Sequence, residues 1–333
     1  MLCMAGSVRS PGIDLVRVFG VVAVVAGHVW TTDLAVAAFY PWHVPLFFFL
    51  TGWFWTAGRP LGAEVRGRWR SLIRPYLAWF VVIGLAWFPA TITSGAAVGP
   101  LDLVRPFLGG QYIGRPYSAF WFVTALAVAA VALRVLERFP AWVPWTVVIA
   151  AVGVATVAPG VLRLPPASAG TAIAALVFVL AGSVARRWLP RIGRPALLGV
   201  TCLVAGGTAV ALGSRPLDLK QADFGTPLLS TVTAVVLCSG LVLVGLALDR
   251  VVRGRAAAVV SRLASVGITV VLLHAAVIWV TEPLLPAPLV FVAATVLPWT
   301  LALLLDRTPL APWTTGRTPR RTDRVQGARP VVA

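Results

Sequence analysis

Ten apolar stretches divide this chain, each close to the length that crosses a bilayer as a helix. Their approximate bounds are 13–32, 42–58, 73–93, 119–136, 142–158, 168–185, 196–213, 228–248, 263–281 and 286–306. About 20 apolar residues span the hydrocarbon core, and a helix satisfies its own backbone polar groups there. Only 12% of the 333 residues are charged, against about 25% in a soluble domain. The predicted fold class is therefore an all-α integral membrane protein of about ten transmembrane helices. Residues 1–306 form one polytopic membrane domain. Clusters such as "PASAG" and "TEPLLPAP" punctuate the runs, as turn-forming residues should.

The basic residues test this count. With the N-terminus placed in the cytoplasm, 23 of the 28 Lys and Arg residues fall in segments on the inner side and five on the outer. Every inner segment is basic, which is the bias that orients membrane helices. Both termini are thus predicted to be cytoplasmic, in a multi-pass protein of the cell membrane. "AVA" at Ala35 to Ala37 resembles a signal cleavage site, but His28 and the spans that follow favour an uncleaved first helix. Residues 307–333 are basic and proline-rich, and are expected to form a disordered cytoplasmic tail.

The net charge of +17 follows from loop arginines and scarce acidic residues rather than from a nucleic-acid surface. Membrane lipids, not nucleic acid, are the expected contact. Cys3, Cys202 and Cys238 are scattered and suggest neither a disulfide framework nor a zinc site. The three histidines lack metal-ligand spacing, and neither HExxH nor CxxC occurs, so no metal site is expected.

The first apolar run, "GIDLVRVFGVVAVVAGHVW", carries ionisable groups at a cost that normally marks function. Arg17 and His28 are eleven steps apart, which on a helix is three turns plus about 20°. They share one face, roughly 16 Å apart along the axis. Asp14 stands three residues before Arg17 and is placed to pair with it. A buried neutral imidazole suits a general base. A guanidinium at the cytoplasmic end suits phosphate, which it grips in a planar fork. Arg66, Arg68, Arg70 and Arg74 place further positive charge on that side. Each alone reads as a topology residue; together they read as a phosphate clamp. His43 and His274 fall in the outer half of their spans, where an unpaired imidazole is costly.

These residues carry a resemblance. "IDLVRVFGVVAVVAGH" resembles the first helix of the acyltransferase family 3 membrane enzymes, whose signature is Arg or Lys, ten residues, then His. "HVPLFFFLTGWF", "RWRSLIRPYLAWF", "FWFVTAL" and "LASVGITVVLLHAAV" are similar, in order, to four later segments of that family. The chain departs from it in carrying Thr51-Gly52 for Ser-Gly, spacing four between Arg70 and Arg74, and no Tyr in the motif ending at His274. The resemblance implies O-acyl transfer from a cytoplasmic acyl-coenzyme A to a hydroxyl. The acceptor would be a glycan, a glycolipid or a glycosylated small molecule, and the acyl group an acetyl in the simplest case. Acyl-coenzyme A is a donor substrate, and no cofactor is implied. Arg17 and His28 would be the catalytic pair, and Arg66, Arg68, Arg70 and Arg74 the donor contacts. Asp14, His43, Thr51, Trp121 and His274 would line the site. The rival reading is a transporter in which His28 and His274 relay protons. Paired midplane carboxylates or broken-helix repeats, which transport cycles usually show, are not evident.

Overall fold

The computed structural model of the protein describes residues 10–95 and 99–317. It is helical throughout, with no strand among the described residues. The first part runs α1 (Pro11–Val29), α2 (Asp33–Phe39), α3 (Pro45–Trp53), α4 (Leu61–Arg68), α5 (Arg74–Thr93) and α6 (Pro100–Leu108). Then come α7 (Phe120–Leu136), α8 (Trp142–Val157), α9 (Pro159–Arg163), α10 (Ala169–Trp188) and α11 (Pro195–Ala211). The last described helices are α12 (Leu229–Leu248), α13 (Gly254–Thr281), α14 (Ala287–Leu305) and α15 (Ala311–Thr314).

Among the described residues, six helical runs are long and apolar enough to cross a membrane: α1, the run from α4 through α5, α10, α12, α13 and α14. Three more apolar helices, α7, α8 and α11, are shorter. Nine of the ten predicted stretches thus appear as apolar helices. The stretch 42–58 does not form a span-length helix, because only Pro45–Trp53 is helical there. The count of ten is therefore not reached by length, although the chain is an integral membrane protein by the number of its apolar helices.

The core is built around α1, α3, α7, α10 and α13. Helix α1 packs against α12, α13 and α14, and α3 lies along α10. Small residues permit these approaches. A Cβ added at Gly52 of α3 would sit 1.8 Å from the Val179 carbonyl oxygen of α10. One added at Gly12 of α1 would sit 1.8 Å from the Gly245 oxygen of α12. The N-terminus of α1 is capped twice: Ser10 Oγ accepts from the Ile13 amide at 3.1 Å, and Asp249 accepts from the Gly12 amide at 2.7 Å. Both satisfy donors that a helix leaves unpaired.

Between α4 and α5, residues Trp69–Ile73 form a π-helical turn. Pro75 lacks an N–H and would clash with a carbonyl four residues back. The wider turn accommodates it. Here composition misleads about the tail. From Arg307 to Arg317 the chain is folded against the bundle rather than loose. The indole of Trp79 and the hydroxyl of Thr269 both donate to the Thr314 carbonyl, each at 2.9 Å. Gly316, with φ of +70°, packs against the backbone of Ser71 in the π turn, where a Cβ would meet its oxygen at 2.8 Å. The rest of the expected tail, 318–333, lies outside the described residues.

Candidate functional site

Two cavities open along α1. The first, about 680 Å³, surrounds Arg17; the second, about 380 Å³, surrounds His28. Phe47, Phe122 and Val271 line both, so one layer of apolar side chains separates them.

In the arginine cavity, Arg17 Nη1 donates to Asp14 Oδ1 at 3.1 Å, and Ser261 Oγ donates to Asp14 Oδ2 at 2.7 Å. The predicted Asp14–Arg17 pair is thus formed within one turn, and a hydroxyl from α13 supports it. Arg68 also lines this cavity and is held by Glu64 at 2.7 Å. Glu64 is buried and shared with the buried Arg134 of α7, whose guanidinium also pairs with Glu137. Thr51 lines the cavity and donates to the Phe47 carbonyl at 2.9 Å. The other arginines of the predicted clamp stand elsewhere. Arg66 and Arg70 are exposed and do not line the cavity. The Arg74 guanidinium sits 5.3 Å from the Trp313 ring centre.

Two further cations, outside the predicted clamp, line this cavity. Arg186, at the end of α10, lines the cavity with its guanidinium 5.4 Å from the Trp53 ring centre. Arg317 reaches in from the folded tail, bonded to Ser265 at 2.8 Å and to Asp306 at 2.9 Å. Arg17, Arg68 and Arg317 each have a carboxylate partner. Arg186 pairs with no carboxylate among the described residues.

The histidine cavity gathers His28, His43, Trp121 and His274 from four separate helices or turns. All three imidazoles are tied the same way. Nδ1 lies 2.7 Å from the Val24 oxygen in His28, 2.7 Å from Phe39 in His43 and 3.1 Å from Val270 in His274. A carbonyl oxygen only accepts, so each bond requires the proton on Nδ1. In the neutral ring, Nε2 then carries a bare lone pair. The His28 and His274 rings meet edge to face, centres 5.0 Å apart. Tyr40 stacks edge-on against His43 at 4.8 Å.

The connection between α11 and α12 supplies Asp218 and Lys220 to this cavity, and Arg115 comes from the segment before α7. None was anticipated. The loop tucks inward because Leu217, Leu219, Ala222 and Phe224 are buried, and Asp218 and Asp223 bridge to each other through their backbones. Burial pushes the Asp218 carboxyl up and the Lys220 ammonium down from their ordinary ranges. Lys220 donates to the Ile113 carbonyl at 2.7 Å, and Arg115 pairs with Glu282.

A base with a free lone pair therefore stands in one cavity and a guanidinium in the adjoining one, both on α1. The family model of acyltransferase family 3, described as an acyltransferase domain, matches residues 10–307. The chain belongs to this family. It is a membrane acyltransferase, and the transporter reading is not favoured. Comparison with curated proteins and with solved structures returned no match. The family match ends at residue 307, so Arg317 and the folded tail lie beyond the shared domain.

Proposed function

We propose that this acyltransferase moves an acyl group, an acetyl in the simplest case, from acyl-coenzyme A to a hydroxyl of a glycan, a glycolipid or a glycosylated small molecule. The observation that carries this reading is the pair of cavities sharing the wall of Phe47, Phe122 and Val271, with Arg17 in one and His28 in the other. The donor's phosphates would rest among Arg17, Arg68, Arg186 and Arg317, where guanidinium groups match phosphate geometry. Its extended pantetheine arm would carry the thioester past the shared wall. The acceptor would enter the histidine cavity.

In the reaction, the acceptor oxygen attacks the thioester carbonyl while its proton passes to His28 Nε2. The tetrahedral intermediate collapses, the C–S bond breaks, and the His28 proton goes to the departing thiolate. The Val24 carbonyl holds the ring in the tautomer that this needs and receives the Nδ1–H of the imidazolium.

The test is transfer of labelled acetyl from acetyl-coenzyme A by the purified full-length protein. His28→Gln retains a hydrogen-bonding group but has no basic nitrogen. Turnover should fall by about 10²- to 10⁴-fold, the usual contribution of a general base, with donor binding retained. Near wild-type turnover in that variant would make His28 structural and remove this mechanism.

A further inference from the structure

His274 has an acceptor atom that the protein leaves unused. The residue is fully buried in α13 and lines the histidine cavity. Its Nδ1–H is committed to the Val270 carbonyl. Its Nε2 is buried and has no hydrogen-bond partner among the described residues. A buried polar atom left unpaired is costly, so such groups are normally satisfied.

The neighbouring ring does not meet that need. His28 holds its own proton on Nδ1, toward Val24, so its Nε2 is also an acceptor. Two lone pairs cannot bond to each other, and both rings line one cavity with their centres 5.0 Å apart. They can both be satisfied by a ligand that brings two O–H donors on neighbouring atoms. The surroundings favour the same chemistry. Asp218 adds a third acceptor to the cavity, while the cations Arg115 and Lys220 are engaged with Glu282 and the Ile113 carbonyl. His43, tied to Phe39, presents another bare Nε2. Hydroxyls of Thr31, Tyr40 and Ser118 also line the cavity, but the imidazoles of His28, His43 and His274 offer it only acceptors.

We propose that His274 is a specificity-determining residue. It accepts a hydrogen bond from a second hydroxyl beside the one acylated, so the preferred acceptor presents a 1,2-diol rather than a lone alcohol. This rests on the acyl-transfer reading. His274 makes and breaks no covalent bond. The proton that His28 takes returns to the leaving thiolate, so none need pass to His274.

The test uses full-length protein in detergent, acetyl-coenzyme A, and the paired probes cis-1,2-cyclohexanediol and cyclohexanol. Free thiol and ester product are both measured. Wild type should use the diol about tenfold or more better in kcat/KM, because a site built to bond a hydroxyl rejects the analogue that lacks it. His274→Phe keeps ring volume and removes the acceptor. It should bring the preference close to one while donor binding, in the adjoining cavity, is retained. His274→Gln places an amide oxygen near the lost Nε2 and should restore part of the preference; it also reports if the Phe variant does not fold. The proposal is overturned by equal use of both alcohols in wild type, by use of neither while the thioester is hydrolysed, or by a diol preference that survives in a folded His274 variant lacking an acceptor. If wild type releases no thiol with water or with either alcohol, the acyl-transfer reading itself fails, a result distinct from these.

Discussion

Among the arginines around the larger cavity, the sharpest difference is between those already neutralised and the one that is not. Arg68 answers to Glu64, Arg17 to Asp14 and Arg317 to Asp306. Arg186 sits against the face of Trp53 and pairs with no carboxylate among the described residues. A phosphate gains most from a cation whose charge is not already spent on a carboxylate. Arg186→Ala should therefore weaken coenzyme A binding about tenfold, the loss of roughly one charge-assisted hydrogen bond. Arg66→Ala, at an exposed position outside the cavity, should change it little. Calorimetric titration of the purified variants with coenzyme A checks both, and equal affinities for the two variants would remove Arg186 from the donor site. The legibility of these residues differs for a physical reason. Arg17 and His28 are visible in sequence because one helix fixes their relation, and eleven steps of a known rotation bring them to one face. Arg186, Asp218 and Lys220 reach the cavities only through tertiary packing of α10 and of the loop before α12. Nothing local in the sequence records that, and Arg186 reads there as an orientation charge.

The helices themselves were largely foreseeable from apolar run length, since a segment that must satisfy its backbone without water has few alternatives to helix. The second stretch shows the limit of that inference. "PWHVPLFFFLTGWF" is as apolar as its neighbours, but proline at residues 41 and 45 limits helix formation at its start, and the helix ends at Trp53. What α3 lacks in length it gains in closeness to α10, through the glycine that follows Thr51. Adding a methyl at Gly52 would meet the Val179 oxygen and the Ser183 nitrogen, the latter at 2.9 Å. Both are backbone atoms that cannot swing aside. Gly52→Ala should destabilise the protein by about 1–3 kcal/mol or more, as overpacking does. Gly67→Ala meets nothing within 4 Å and serves as the control. Thermal unfolding in detergent reads the difference, and matching midpoints would show that α3 and α10 are less closely fitted than described.

At the scale of the whole molecule, the distribution of basic residues predicts which way the bundle faces. Reporter fusions after Gly58, Arg194 and Ala333 should report the cytoplasm, and a fusion at Asp218 the opposite side. A cytoplasmic signal from Asp218 would overturn that orientation and with it the direction from which the donor enters. The thin wall between the cavities has a further consequence. A bilayer protein hollowed from two ends must still hold a proton gradient, and here only Phe47, Phe122 and Val271 are common to both hollows. On the proposed donor route, the three side chains that would part for a thioester would also exclude a hydrated ion. Bulky apolar side chains serve both demands, since such a constriction can part for a slender arm yet remain dry when that arm is absent. Trimming Phe122 to alanine in protein reconstituted into vesicles should speed the collapse of an imposed pH difference, and bound coenzyme A should slow it again. A vesicle that stays as tight as one bearing the unaltered protein would mean that the seal lies elsewhere.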